Sequence, residues 1–284
     1  MISALNKLPD GTIEITINIP WKRVLTAYQK KLEQLAKVID VKGFRKGKAP
    51  VKMAEKQLNK TTVYQEILKE IIPDLYLEAV KEHKLKPIVN PQISVVSLEE
   101  NKDWQIKATT CEIPEIKLGK YKEEIKKVLA SDKIWVPGED KEKQTQETET
   151  KKLDKIFKTL IESIKFKVPE ILIQEEANKM LSKLIDQTNQ LGLTLEQYLA
   201  SSGKTSDQIK KEYQNQAAQT IKLELILSKI ADEEKIKVTD DQVEQMIKSI
   251  PEKETQESFK NEAQKAYIRQ ILRKRQVIDN FSKL

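Results

Sequence analysis

The amino-acid sequence predicts a helix-rich fold in two parts, an α+β unit at residues 1–113 and an all-α unit at residues 151–284. Apolar and polar residues alternate over 13–19 and 104–110, which is the period of half-buried strands. From residue 153 onward apolar residues recur at spacings of three and four, which is the period of amphipathic helices. Residues 139–152 contain no apolar side chain, which is typical of a solvated segment or a frayed helix start. We therefore expect residues 114–150 to be a linker.

The elements of the first part follow in order. A strand is bounded by the Asp10-Gly11 turn and by Pro20, and the helix after it carries one apolar face (Leu25, Tyr28, Leu32, Leu35 and Ile39). A short helix is expected from Pro50, and a longer one from the capping-box sequence Thr62-x-x-Gln65. Pro73 lies inside the longer pattern and is expected to kink or split it. Residues 93–96 and 104–110 then predict a hairpin.

The second part predicts helices throughout. Between the two parts, residues 121–128 resemble a short helix within the linker. Pro169 is placed at a helix start, Thr194-x-x-Gln197 caps a short helix, and Gly203 is expected to end that helix. Further helices are predicted after Ser206, after Thr239 and from about Ser258, the last of them with an apolar face that includes Tyr267, Ile271 and Phe281.

Composition narrows the classes of function. The 284 residues carry a net charge of +7, which permits an RNA partner. One cysteine (Cys111) and one histidine (His83) are too few for a zinc site of the usual ligand number, and no nucleophile–base pair or phosphate-binding glycine loop is found, so we expect no metal and no cofactor. No apolar run approaches the ~20 residues of a membrane span, and the N-terminus does not resemble a signal peptide, so a cytoplasmic location is expected.

The most informative segment is residues 43–50, called the basic loop below. Two glycines enclose an aromatic residue and two cations, and a third cation and a proline follow: Gly43, Phe44, Arg45, Lys46, Gly47, Lys48, Ala49, Pro50. Residues 37–60 hold eight cations, Lys42 among them, against two acids. Cations pair with phosphate and an aromatic ring stacks or fills an apolar notch, which suits an RNA–protein surface. A basic Gly/Pro loop is also often only a solvated turn.

The basic loop resembles the Gly-Phe-Arg-x-Gly-Lys-x-Pro signature of bacterial trigger factor, a chaperone at the ribosomal exit tunnel. The second part is similar to that family through weaker motifs, Lys167-Val168-Pro169-Glu170-x-Leu172, Gln174-Glu175-Glu176 and Ile236-x-Val238-Thr239-Asp240. The resemblance implies a ribosome-binding domain at residues 1–113 and a helical substrate-binding domain at 151–284. Implied partners are the large ribosomal subunit, through a tunnel-rim protein and ribosomal RNA, and unfolded nascent polypeptides, with a possible homodimer off the ribosome.

The family commonly carries a prolyl isomerase domain of about 90–100 residues between these parts. Here only 114–150 is available, and its aromatic residues are Tyr121 and Trp135. That segment cannot form several strands around an aromatic pocket, so the isomerase activity is not expected to carry over.

An ATP-independent chaperone needs an adaptable apolar surface for its clients. Met180, Leu184, Met246 and Ile250 are candidates because methionine and long aliphatic side chains adapt to varied partners. Apolar stripes on helices more often face a core, which is the alternative for all four. Three other functions stay open: a basic RNA-binding protein with a helical dimerisation half, a prolyl isomerase with an unrecognised site, and an exported chaperone of related helical build.

Overall fold

The computed structural model describes residues 2–38, 44, 50–131, 144–251, 259 and 261–282. The chain forms two compact units, Met1–Ile113 and Pro114–Leu284. The first combines a sheet with helices and the second is helical, which confirms the predicted fold class.

A four-stranded antiparallel sheet forms one layer of the first unit. Its strands are β1 (Ile2–Lys7), β2 (Thr12–Ile19), β3 (Gln92–Ser97) and β4 (Trp104–Cys111), in the order β1-β2-β4-β3. Ile15 lies opposite Ala108 and Ile17 opposite Ile106, so the inward residues of the two central strands share one face. β1 was not predicted from the sequence, because its six residues show no clear alternation.

The helices α1 (Trp21–Ala36), α2 (Val51–Gln57) and α3 (Lys60–Glu82) belong to the same unit. The core lies between the sheet and α1 and α3, where the four alternating isoleucines of β2 are completely buried beside Trp104. One prediction about α3 was wrong, because the helix begins at Lys60 with Asn59 as its cap rather than at Thr62. The helix runs through Pro73 without splitting.

The second unit contains α4 (Tyr121–Ser131), α5 (Gln144–Ser163), α6 (Glu170–Gln190), α7 (Leu195–Ser202), α8 (Ser206–Glu233), α9 (Asp240–Lys248) and α10 (Glu262–Ser282). α6 packs along α8 to form the first hairpin, and α9 packs on α10 to form the second hairpin. A base formed by α4, α5, α8 and α10 holds the main core of this unit.

Local signals set the helix ends in the second unit. Thr194, Thr205 and Thr239 each cap a helix through a full capping box with a glutamine three residues later. Gly203 ends α7 with φ of 65°, a conformation that glycine adopts without strain. The predicted caps at Thr194 and Gly203 are thus confirmed.

The structure differs from the sequence prediction in the segment assigned to the linker. Residues 114–131 pack into the helical unit, where Ile116, Leu118, Tyr121 and Ile125 are buried against α5, α8 and α10. The hydroxyl of Tyr121 donates to the carboxylate of Glu234 at 3.0 Å and fixes α4 to the end of α8. Tyr121 and Ile125 have helical spacing, but nothing in the local sequence shows that this segment packs on the distant helices α5, α8 and α10. Residues 132–143 lie outside the described part.

Candidate functional site

The basic loop connects α1 to α2. Phe44 is 40% exposed, a large exposure for an aromatic side chain in the first unit. Pro50 precedes α2 as its cap, with φ of −58° and ψ of 140°, so the loop ends at a defined helix start. The other residues predicted for this site, Lys42, Gly43, Arg45, Lys46, Gly47 and Lys48, lie outside the described residues.

A line of aromatic contacts anchors α2 to the rest of the first unit. Tyr28 on α1 donates its hydroxyl proton to the carboxylate of Glu55 on α2, at 3.0 Å. The ring of Tyr28 lies 5.6 Å from that of Tyr64, which meets Trp104 edge-on at 4.9 Å. Burial raises the pKa of Tyr28 to about 12, with a smaller contribution from Glu55, so the phenol stays protonated at neutral pH. Ala54 on α2 is completely buried and α2 contacts α1, so the helix that follows the basic loop is packed against the first unit.

Some of the cations near the loop are paired and others are not. Lys31 lies 2.5 Å from Glu70 and 3.8 Å from Glu66, and the hydrogen bond that its ammonium group donates to Glu70 raises the pKa of Lys31. Within the described part of the chain, Lys37 at the end of α1 and Lys56 on α2 are exposed and have no carboxylate partner. The unpaired cations therefore flank the basic loop, where they can attract a polyanion.

The connecting end of the first hairpin is apolar and exposed. Leu191 is 76% exposed, and Leu193 and Ile185, the latter in the last two turns of α6, are exposed as well. Gly192 between the two leucines has φ of 72°, which lets the chain turn and present both side chains. Residues 187–203 contain one charged residue, Glu196, in a chain that is 33% charged. We call Ile185, Leu191 and Leu193 the first-hairpin tip.

The second hairpin also presents apolar side chains to solvent. Tyr267 on α10 is 62% exposed, Ile271 lies one turn later, and Met246 on α9 is exposed as well. The buried contacts between α9 and α10 are made by Val243, Ile247 and Ile268 instead. The sequence predicted Tyr267 and Ile271 for the buried face of the last helix. The structure corrects this, because the buried face lies one residue further along, at Ile268 and Leu272.

The client-surface candidates fall into different environments. Met246 is exposed, and Met180 and Ile250 are half-buried. Leu184 is only 7% exposed on a helix packed against α8, which leaves it little surface for a partner. The sequence reasoning missed Ile185, Leu191 and Leu193. Their signal in the sequence is the nearly uncharged stretch around Gly192, which is equally typical of a helix end.

Lys222 on α8 is a partly buried cation of the helical unit. Burial lowers the pKa of Lys222 on α8, and the nearby charge of Lys165 adds to the effect. Its ammonium group donates to the backbone oxygen of Ile161 at 2.7 Å and lies 5.7 Å from the centre of the Phe166 ring. These contacts give it a structural task, that of joining α8 to α5.

In the described part of the chain, the cleft between the two helices of the first hairpin lacks the apolar lining that is typical of a ligand pocket. The cleft between α6 and α8 is lined mainly by polar side chains, including Gln174, Asn178, Lys210 and Gln214. Among the residues that the structure describes, no cluster of histidine, cysteine and acidic side chains could hold a metal ion. In the same residues no helix has the length and apolar character that crossing a bilayer requires. The fold and its surfaces thus define a class, a helix-rich protein with exposed apolar side chains on its helical unit and a basic sequence at residues 43–50 between two helices of its first unit.

Comparison with known proteins identifies the family. The family model for bacterial trigger factor protein matches residues 1–148, and the model for the bacterial trigger factor C-terminus matches residues 138–282. The chain belongs to the trigger factor family, as the resemblance predicted. Membership supports a chaperone role in protein folding and implies binding to the ribosome and to nascent chains.

Individual relatives agree with this assignment. Trigger factor from Staphylococcus aureus (strain Newman) is 22% identical, with 83% of this chain and 86% of the relative covered. Trigger factor from strain JH9 is 37% identical over 108 residues, covering 38% of this chain and 25% of the relative. A solved structure of the Trigger Factor chaperone, described by its promiscuous substrate recognition in folding and assembly activities, aligns with a TM-score of 0.64. That alignment covers 99% of both chains at 12% identity, so it supports the fold alone.

The chain is a short member of its family. The alignment with the strain Newman protein spans 372 positions, more than the 284 residues of this chain, so the relative carries a long segment without a counterpart here. The two family matches meet within residues 138–148. The N- and C-terminal parts are present without a prolyl isomerase domain between them, as the sequence predicted.

Proposed function

We propose that this protein is an ATP-independent chaperone that docks at the ribosomal exit tunnel through the basic loop and shields nascent chains, assisting their folding and export. The observation that carries the proposal is the family signature at residues 43–50, placed between α1 and the anchored helix α2, with Phe44 exposed. The same sequence on a mobile tail would support ribosome docking far less, because a tail must be ordered on binding and that ordering costs affinity.

The docking chemistry follows from the residue types. Arg45 and Lys46 pair with ribosomal RNA phosphates and with an acidic side chain of a tunnel-rim protein, and Phe44 fills an apolar notch. Lys42 and Lys48 add long-range attraction, and Lys37 and Lys56 extend the basic surface at either end. Binding that rests on phosphate contacts weakens steeply as salt rises.

Clients bind to the helical unit in this proposal. The first-hairpin tip and the exposed residues Met246, Tyr267 and Ile271 supply separate apolar contacts. Each contact is small, so a client segment binds weakly and leaves again without any nucleotide-driven step. Met180 and Ile250 are half-buried and remain minor candidates, whereas the burial of Leu184 argues for a role in packing.

The proposal places the chaperone in the cytoplasm and assigns it no isomerase activity. The matched family segments and the length of the curated relative both support the second point. An assay with a proline-containing peptide should therefore give the uncatalysed rate of cis–trans isomerisation. Turnover above that rate would contradict this part of the proposal.

Sedimentation with bacterial ribosomes tests docking. The test variant is Phe44→Ala/Arg45→Ala/Lys46→Ala. A matched control, Leu77→Ala/Lys22→Ala/Lys81→Ala, removes one exposed apolar residue and two exposed cations from the same unit. We expect the wild type and the control to pellet with ribosomes at moderate salt and the loop variant to stay in the supernatant.

The other outcomes discriminate between the alternatives. Equal pelleting of the loop variant and the wild type would mean that the general basic surface, not the loop, makes the contact. Binding to naked RNA as tight as binding to ribosomes, without suppression of client aggregation, would favour the RNA-binding alternative.

A further inference from the structure

The first unit contains an apolar surface that its own fold does not cover. β3 is an edge strand, hydrogen-bonded to β4 on one side. Ile93 lies opposite Ala108 and Val95 opposite Ile106, so both point to the sheet face that forms the core. Ala108 and Ile106 are completely buried, but Val95 is 51% exposed and Ile93 is exposed as well. The helix layer therefore covers β4 and leaves the same face of β3 open.

The open face continues around a bulge in the strand. The register shifts between Val95 and Ser97, and Val96 at this irregularity is 56% exposed. Among the residues that the structure describes, no backbone hydrogen bond reaches the outer side of β3. The strand thus offers unpaired peptide groups together with apolar side chains.

The sequence of this edge lacks the usual protection against strand pairing. Residues 87–98 form the longest uncharged stretch of the chain, twelve residues in a protein that is 33% charged. Natural edge strands are commonly blocked by lysine or another charge. The opposite edge strand, β1, carries one charge, Lys7 at its end, which pairs with Glu112 at 3.0 Å. β3 carries no charge along its length and exposes three β-branched apolar side chains.

We propose that the β3 edge, residues 92–97, binds an extended and uncharged apolar segment of an unfolded client by strand addition. This inference rests on the proposed chaperone function and adds a second client site, in the first unit. The free peptide groups of β3 pair with the backbone of the client, which makes binding tolerant of sequence. Ile93, Val95 and Val96 supply the apolar contacts, and the absence of charge favours segments that would otherwise aggregate.

The size of the site decides against a second copy of this chain as the occupant. A stable protein–protein interface needs about 20–30 residues from each partner. The β3 edge offers six residues, which suits a short segment that binds weakly and is released. A dimer formed by pairing of two β3 strands is the alternative that the experiment must distinguish from client binding.

Photo-cross-linking with the full chain tests the site. The probe is a ten-residue uncharged peptide rich in valine, isoleucine and threonine, with a benzophenone group at its centre, and adducts are located by mass spectrometry. Val95→Lys places a charge on the open edge, and Ala4→Lys places the same charge on an exposed residue of the β1 edge. We expect adducts on residues 92–97 in the wild type, a roughly tenfold lower yield there with Val95→Lys, and a change within about twofold with Ala4→Lys.

A second probe, N-methylated at alternate residues, tests the same site on the unmodified protein. Strand addition requires backbone N–H groups, so this probe should lose the β3 adducts and keep those on the helical unit. Adducts at Leu191 and Tyr267 without any on β3 would overturn this inference and leave the proposed function standing. Retention of β3 adducts by the methylated probe would also overturn strand addition. If the unmethylated probe gives no adducts on either unit, both this inference and the proposed binding of clients are wrong. If sedimentation equilibrium shows a dimer that Val95→Lys dissociates, the occupant is a second copy and the inference is wrong.

Discussion

Tyr28 on α1 and Glu55 on α2 are joined by a hydrogen bond of 3.0 Å between the phenol and the carboxylate. The two residues stand on opposite sides of the basic loop, so their contact fixes the distance between the helices that the loop connects. In the proposed function this bond is part of what presents Phe44 to the ribosome.

Tyr28→Phe removes this bond and keeps the ring that packs on Tyr64. We expect the variant to lose about 1 kcal/mol of unfolding free energy, the usual net value of such a bond. The measurement is urea unfolding followed by the fluorescence of Trp21 and Trp104, in a Trp135→Phe background so that only the first unit reports. Tyr267→Phe, at an exposed position on the other unit, is the control and should leave the midpoint unchanged.

Glu112 links the end of β4 to two other parts of the first unit. The backbone N–H of Lys86 donates to it at 2.7 Å and the ammonium group of Lys7 at 3.0 Å, and these bonds, the backbone one first, lower the pKa of the carboxyl group below 4.5. A carboxyl group whose pKa is lowered by folding stabilises the fold above its unfolded pKa. That stability is lost as the pH falls through the folded pKa.

Glu112→Gln should therefore destabilise the first unit at pH 7, by about 0.5–1 kcal/mol for a partly exposed ion pair. The difference between variant and wild type should shrink as the pH falls below 4.5. Urea unfolding at a series of pH values measures it, with Glu33→Gln on the exposed side of α1 as the control. A difference that stays constant down to acid pH would show that the charge of Glu112 does not contribute.

Gly203 ends α7 at φ of 65°, and a side chain there would meet no atom within 4 Å. The cost of Gly203→Ala is therefore one of backbone conformation, about 1 kcal/mol. Gly203→Asn should cost less, because asparagine adopts this conformation more readily. Thermal unfolding followed by helical circular dichroism measures both. Equal losses for alanine and asparagine would mean that the left-handed conformation is not the cause.

The exposed apolar residues of the helical unit should be needed for the suppression of client aggregation. Leu191→Ser/Tyr267→Ser removes two exposed side chains from the helical unit and should weaken the suppression of client aggregation severalfold without lowering the melting temperature, since neither residue is buried. Leu25→Ser/Leu77→Ser removes two exposed residues from the first unit as a control. Light scattering of a refolding client measures the effect. Equal loss in both variants would point to general surface hydrophobicity.

Salt dependence should separate phosphate contacts from other contacts. The slope of log affinity against log salt concentration should fall by about 1 when Arg45→Ala removes one phosphate contact. Lys81→Ala, on the exposed side of α3, should leave the slope unchanged. Fluorescence titration of labelled protein with ribosomes measures the slope. An unchanged slope with Arg45→Ala would indicate that this side chain does not meet a phosphate.

The sequence predicts the parts of this fold that have local signals. The alternation at Ile13 to Ile19 and the caps at Thr194 and Gly203 depend on residues close in the chain, and the structure places them as expected. The course of 114–131 could not be predicted, because Ile116 and Ile125 become buried through contacts with distant helices. The exposure of Tyr267 was missed for a similar reason. A stripe through Tyr267 and Ile271 and a stripe through Ile268 and Leu272 both have helical spacing, and the packing of α9 decides between them.

The candidate sites also differ in whether the sequence alone reveals them. The basic loop was found from the sequence, because its residue types and spacing are specific. The first-hairpin tip and the β3 edge were not, because an exposed apolar residue looks like a core residue until the packing is known.

Cross-linking on translating ribosomes tests ribosome docking and client binding in one experiment. A photoreactive amino acid is placed at position 44 in one variant and at positions 191 and 267 in two others, each mixed with ribosomes that carry a stalled nascent chain. We expect position 44 to cross-link to ribosomal RNA or a tunnel-rim protein, and positions 191 and 267 to cross-link to the nascent chain. Adducts from position 44 to the nascent chain alone, with none to the ribosome, would contradict docking through the basic loop.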